Sequence, residues 1–388
     1  MEVMKNVFKN NVRQYGMILA LILITVLFQV LSDGILLKPL NVTNIIQQYS
    51  FILVLAIGMV LVIITGHIDL SVGSVAAFVG AVSAIMMVDY DMPYWAAIIL
   101  SLLIGALVGA WQGFWVAYMR IPSFIVTLAG MLLFRGLTMI VLDGQSIAPF
   151  PKAFQKMSTG FLPDVDGSSS IHMLTIIVGV FLSLVTVLQE FRDRRAQRKY
   201  DFEVLPYPWF IAKLVGIVAV INVFTYVLAQ YRGIPYILII LFLLVIVYTF
   251  VMKKTVMGRH TYALGGNEKA AKLSGVKTKR VTFWVFVNMG ALAALSGLIY
   301  AARLNAATPK AGVNFELDAI AACFIGGASA SGGIGTVMGA IIGGLVMGVM
   351  NNGMSLIGLG IDWQQGIKGL VLLFAVGFDI YNKNKTAS

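Results

Sequence analysis

Long, continuous apolar runs joined by short polar connections constrain this chain more than any other feature. They cover Gly16–Leu31, Tyr49–Ile64, Ser71–Val88, Tyr94–Tyr118, Ser123–Leu142, Ile171–Leu188, Trp209–Gln230, Ile234–Val251 and Val281–Ala302. Beyond Ala302 come a short run, Asp318–Ile325, a glycine-rich run, Ile334–Met350, and a last run, Trp363–Phe378. A helix needs about 20 apolar residues to cross the hydrocarbon of a bilayer. The runs do not alternate in polarity, which excludes a β-barrel. Charged residues make up 12% of the 388, against roughly 25% in soluble domains, and the mean hydropathy is +0.89. The expected fold is all-α: one polytopic transmembrane helical bundle of about ten to twelve spans, some of them short or re-entrant.

The formal net charge is +11. Its basic residues fall in connections between spans, so it marks topology and not a nucleic-acid partner. Lys5, Lys9 and Arg13 precede the first run, which no small-x-small cleavage pattern follows; an uncleaved first span with its N-terminus in the cytoplasm is expected. From that start, the connections at Arg120, at Arg192–Arg195 and at Lys253–Lys254 lie inside. The Asp89/Asp91 turn and the loop from Asp143 to Ser170 lie outside, and that loop is expected to be irregular. The tail, with Lys383 and Lys385, belongs inside. Reaching it after Ala302 takes an odd number of crossings, so either Asp318–Ile325 crosses as a short helix or one of the last three runs is re-entrant. The single Cys323 excludes an intrachain disulfide.

Between two spans lies a basic connection, Met252–Arg280, with Glu268 as its one acid. Its centre, Gly265-Gly266-Asn267-Glu268-Lys269-Ala270-Ala271-Lys272-Leu273-Ser274-Gly275, carries the signals of a short helix over Glu268–Ser274. Asn267 suits the N-cap, Glu268 the positive end of the dipole and Gly275 the C-prime position. So short a helix is not stable alone. It is either a capped surface loop or an element that a partner grips. No GxxxxGK[ST] phosphate loop occurs in the chain, so it hydrolyses no ATP by that route.

Thr65-Gly66-His67-Ile68-Asp69-Leu70-Ser71 joins two apolar runs with no long polar loop. Broken backbone at membrane depth survives only where protein or a water-filled cavity satisfies it. Asp69 reads equally as a functional intramembrane acid and as a helix cap at the membrane edge. The small-xxx-small series Gly105/Gly109/Gly113, Gly335/Gly339/Gly343 and Gly344/Gly348 allow close helix approach. Ile64–Gly73 and Ile325–Gly333 are faintly alike, as in an internal repeat. Gln112, Arg135, Asn222, Asn288, Asn305, Asn351 and Asn352, with Trp111 and Trp115, suit a neutral hydroxyl-rich solute and equally suit interhelical hydrogen bonds. The three histidines, His67, His172 and His260, form no zinc motif, and no catalytic constellation or cofactor site appears.

GHIDLSVGS, ALGGNEKAAKLSGVKTKR and FIGGASASGGIGTVMGAIIGGLVMGVMNNGMSLIG occur in this order. Together they resemble the membrane permeases of bacterial ABC importers for monosaccharides, over nearly the whole chain. With its basic insert Glu190–Pro208 the chain looks most similar to the xylose-type or multiple-monosaccharide permeases. The resemblance implies one transmembrane permease domain and a homodimer in the bacterial inner membrane with the translocation path at the dimer interface. It also implies a cytoplasmic ABC ATPase subunit and an extracytoplasmic sugar-binding protein. It makes Gly265, Gly266, Asn267, Glu268, Lys269, Ala270, Ala271, Leu273 and Gly275 the ATPase-coupling residues. Thr65, His67, Asp69, Ser71, Gln112, Asn351 and Asn352 are the expected path or gate residues. His67 departs from the glycine of many relatives, and no role is transferred to it. An ion-coupled secondary transporter or channel would require more intramembrane carboxylates or histidines than are evident. A lipid-modifying enzyme using Asp69 and His67 lacks further polar partners.

Overall fold

A computed structural model describes residues 12–164, 171–200 and 204–387. Its helices are α1 (Val12–Leu31), α2 (Pro39–Ile64), α3 (Val72–Ala84, extended by a π-turn over Ile85–Asp89), α4 (Tyr94–Ala117) and α5 (Ser123–Val141). They continue with α6 (Lys152–Thr159), α7 (Met173–Lys199), α8 (Tyr207–Ala229), α9 (Tyr236–Lys254), α10 (Val256–Gly266) and α11 (Glu268–Leu273). The last four are α12 (Thr278–Leu304), α13 (Phe315–Ile325), α14 (Val337–Leu356) and α15 (Ile361–Ala387). The described residues form no strand, only the isolated bridges Ile147–Ala307 and Phe161–Pro235. Among them 9 helices are long and apolar enough to cross a membrane. Adding α1, α13 and α15 reaches the upper end of the expected range.

α2 is apolar on every face and buried along nearly its full length, as a helix at the centre of a bundle must be. α12 lies beside it and is clasped by α3 and α4. The glycine series in α4 explains that clasp: Gly105 sits against Gly290, Gly109 against the Phe286 carbonyl, and Gly113 against Phe283. α14 uses its glycines in the same way, Gly339 against Gly326 and Gly343 against Ala322 of α13. Without a hydrophobic drive between helices in lipid, such backbone approach supplies the packing.

At the periphery α7 and α8 pair as a hairpin. Asn222 Nδ2 donates to Ser183 Oγ at 2.8 Å across it, and Ile177, Phe181, Leu184, Val220 and Val223 are exposed, as lipid-facing residues are. α7 runs on to Lys199, so much of the basic insert is helical. Arg194 ties it down: Nη1 donates to the Leu205 carbonyl at 2.7 Å, and the guanidinium lies 4.5 Å from the Phe210 ring centre. The outer loop departs from the irregular segment expected. It contains α6, whose fully buried Phe154 joins a second core with Leu298 and Ala301 of α12.

Two helices begin inside the bundle. After Ile64 the chain leaves α2 and climbs alongside α12 before α3 begins at Val72; Ala76 then meets Gly297, two turns before α12 ends. α13 has 11 residues, a length of about 16 Å, or half the hydrocarbon core. It starts at Phe315, whose ring packs 4.5 Å from that of Phe51, in the middle of α2. The backbones of Gly73 and Gly312 touch, so the starts of α3 and α13 meet at depth. Three helices, α13, α14 and α15, follow α12, and α13 is about half as long as a helix that crosses the hydrocarbon alone.

Packing at the α4–α12 crossing gives a test. Gly109→Leu should cost about 1–3 kcal/mol and lower the thermal midpoint of the detergent-solubilised protein, because a Cβ there overlaps the Phe286 carbonyl. Gly216→Leu, where nothing lies within 4 Å, should leave the midpoint unchanged.

Candidate functional site: the coupling loop and the broken helices

The basic connection forms two helices where one was expected. Thr255 caps α10 by accepting from Gly258 N, and Tyr262 of α10 donates its hydroxyl to the Gly335 carbonyl at 2.7 Å. α10 was not anticipated, although Thr255 before Val256-Met257-Gly258 is the N-cap signal that marks its start. α11 is the anticipated helix and ends one residue early, at Leu273. Asn267 Oδ1 accepts from Ala270 N at 3.0 Å, and Gly275 takes φ +85°, the left-handed C-prime conformation. Ala271 alone faces inward along α11. Glu268, Lys269, Ala270 and Lys272 are exposed, and Leu273 is 90% exposed.

Gly265 lies against backbone on both sides. A Cβ there would overlap the Ile64 carbonyl oxygen and crowd Gly333 N. Gly333 N in turn donates to the Ile64 carbonyl at 2.8 Å, and Gly332 sits against Gly66 N and the Gly265 carbonyl. The end of α2, the loop before α14 and the end of α10 therefore join as one backbone junction. The two faintly similar stretches, Ile64–Gly73 and Ile325–Gly333, meet at this point.

Beside the junction opens a cavity of about 1310 Å³ lined by Thr65, His67, Tyr118, Arg120, Glu268 and Arg280. Thr65 Oγ1 donates to the Val62 carbonyl at 2.7 Å. The His67 ring lies 6.0 Å from Phe286. Burial pushes its pKa below the usual imidazole value, opposed by the Glu268 carboxylate.

Deeper in, Asp69 is 2% exposed. Its Oδ1 accepts from Ser71 N at 2.9 Å and from Ser71 Oγ at 2.6 Å, while Gln112 Nε2 donates to Ser71 Oγ at 2.7 Å. The network fixes the turn that starts α3. Asp69 is therefore part of a helix start that is buried inside the protein. Asn352 is occupied elsewhere, in a reciprocal amide pair with Asn41 at 2.8 and 3.1 Å. Asn351 lines a second cavity at the other end of the bundle. The expected path residues thus fall in three places: Thr65 and His67 at the junction cavity, Asp69, Ser71 and Gln112 within the bundle, and Asn351 at the far cavity.

Most other polar residues of the apolar runs bond between elements. Tyr248 donates to Asn288 Oδ1, and Phe150 N donates to Asn305 Oδ1 at 2.8 Å. Glu316 was overlooked; it is buried at the start of α13 beside Gly73, with Oε2 unbonded. Its visible signal is the pair Glu316/Asp318 opening the short apolar run. No group of His, Cys, Asp and Glu among the described residues could hold a metal.

Helices broken inside a membrane bundle, joined through backbone to a presented loop, define a solute-transport subunit. The family described as "Branched-chain amino acid transport system / permease component" matches residues 41–376, and the chain belongs to it. It is 40% identical to the xylose transport system permease protein XylH of Haemophilus influenzae, over 97% of this chain and 98% of that protein. It is 38% identical to XylH of Escherichia coli, over 97% and 94% of the two chains. It is 34% identical to the ribose import permease protein RbsC of Bacillus subtilis, over 96% and 94%. No solved structure matches. The chain is a multi-pass permease component, a transport subunit and not an enzyme.

The junction separates two neighbouring glycines. Gly265→Ala should lower the yield of folded protein and its transport, because the added methyl meets Ile64 and Gly333 backbone. Gly266→Ala, with nothing within 4 Å, should leave the yield of folded protein intact. Size-exclusion profiles and solute uptake measured on both variants check this; equal tolerance would refute the junction.

Proposed function

We propose that this chain is the permease subunit of an ABC importer that moves a monosaccharide, xylose or a similar pentose or hexose, into the cell. Relatives named for xylose and ribose transport, matched over nearly the full chain, support the substrate class. The chain works in the bacterial inner membrane with its N-terminus in the cytoplasm, as the basic connections favour. Two copies form the path. A cytoplasmic ATPase supplies energy that the chain, without a phosphate loop, does not generate. A sugar-binding protein delivers solute on the opposite side. The chain needs no cofactor and no nucleic acid.

One observation carries this reading: a six-residue capped helix with an exposed leucine, fixed to the ends of two broken helices. Leu273, 90% exposed, gives α11 an apolar side chain for an ATPase cleft to take up. In this mechanism ATPase closure moves α11 and α10. Gly265 passes the motion to Ile64 and Gly333 without a compressible side chain between them. Residues 65–71 and 326–336 then shift and open the bundle on one side as they close it on the other. An ion-coupled secondary transporter is the weaker reading, since the relatives are components of multi-subunit transport systems.

Glu268→Arg and Leu273→Asp should each abolish solute-stimulated ATP hydrolysis and uptake, with membrane abundance of the chain unchanged. ATPase rate and D-xylose uptake in vesicles holding all subunits test this. Uptake that persists without ATP and stops when ion gradients collapse would sink the proposed function.

A further inference from the structure

At the end of the bundle opposite the coupling loop, a cavity of about 600 Å³ reaches down to the start of α13. Its volume falls in the range of roughly 300–1,000 Å³ common for small-molecule sites. Its walls come from the first half of α2, the last turns of α12, the second half of α14 and the first turns of α15. Its floor is the first turn of α13.

Two kinds of side chain meet in it. Phe51, Tyr300 and Phe315 form one aromatic cluster, with ring centres 4.5 to 5.0 Å apart, and all three line the cavity. Asp318 lies in the same turn as Phe315. Its Oδ2 accepts from the Tyr49 hydroxyl at 3.2 Å and from Lys368 Nζ at 3.1 Å. Oδ1 carries no hydrogen bond among the described residues. Amides of Asn351 and Gln365 also line the space.

We infer that this cavity is a monosaccharide-holding chamber, in which the aromatic cluster takes the C–H face of the sugar ring and Asp318, Lys368 and the amides take its hydroxyls. The assignment rests on the proposed function and adds to it a place where the sugar waits before crossing. A ring of hydroxyls offers a donor and an acceptor at each carbon. Here a carboxylate oxygen, an ammonium, the Arg303 guanidinium and several amides stand around an aromatic patch. A metal ion would leave the aromatics idle, and an acyl chain would leave the charged pair unsolvated. The ion pair ties α15 to α13, and α15 meets the bundle chiefly at α13 and α14. The pair can open as solute enters, because sugar hydroxyls replace the bond that each partner loses.

The test uses the full chain with its ATPase and binding protein in oriented vesicles. Asp318→Asn should raise the KM for D-xylose uptake roughly tenfold, with membrane abundance unchanged. Gln365→Cys lies on an exposed position where substitution spares the fold, and the native Cys323 thiol is fully buried. The new thiol should react with a membrane-impermeant maleimide added on the binding-protein side only, should be protected by D-xylose, and once modified should block uptake. Uptake by the unaltered chain of D-xylose, D-ribose or D-glucose, with normal KM in Asp318→Asn and neither protection nor block at Gln365→Cys, overturns the chamber alone. Absence of ATP-driven uptake of all three sugars by the unaltered chain overturns the proposed function, and the chamber with it.

Discussion

Every backbone N–H and C=O inside a membrane must find a partner within the protein, and the architecture turns on how this chain meets that demand at two breaks. Between α2 and α3 the polar groups are taken up locally. His67 N bonds back to the Val62 carbonyl at 3.1 Å, and Asp69 accepts Ser71 N. Between α13 and α14, Ser329 N bonds to the Ile334 carbonyl, and Thr336 caps α14 through Gly339 N. What neither loop satisfies alone they share: Gly333 N meets the Ile64 carbonyl, and Tyr262 of α10 meets the Gly335 carbonyl. The breaks are therefore mutually dependent, and the basic loop that carries α10 packs against both.

The same demand explains the buried acids. A helix that starts in low dielectric presents unsatisfied N–H groups and a partial positive charge to its surroundings. Asp69 stands before α3, and Glu316 and Asp318 occupy the first turn of α13. These carboxylates sit where the dipoles of two internal helix starts converge. That placement accounts for intramembrane acids without ion coupling, the role the sequence pattern left open for Asp69.

Much of this was legible in residue order and some was not. Apolar runs marked the spans, and the Asn267, Glu268 and Gly275 signals marked α11, because both are local physics. The glycine series marked the close crossings without naming partners; only tertiary packing pairs Gly109 with Phe286 and Gly343 with Ala322. α6 escaped because an eight-residue helix held mainly by one buried phenylalanine leaves no periodic trace. Among the site residues, the Gly265 contact and the far cavity depend on segments hundreds of positions apart, such as Gly265 with Ile64 and Tyr49 with Asp318. The Asn41–Asn352 amide pair was invisible for the same reason: its two members lie 311 positions apart.

α13 and the loop after it lie between the two cavities. The far cavity ends at the first turn of α13, and the last turn of α13 leads into the loop whose Gly333 touches Ile64 and Gly266. One helix of 11 residues thus lies between the far cavity and the backbone junction. A rigid helix transmits displacement at one end to the other with little loss, since its own hydrogen bonds keep its length fixed. In the proposed mechanism, motion delivered to Gly333 therefore reaches Phe315 and Asp318 directly, and disturbs the aromatic cluster and the Lys368 pair together. In that mechanism energy from outside the chain needs no long relay through side chains: the short helix is the relay, shifting against the glycines of α14 that flank it.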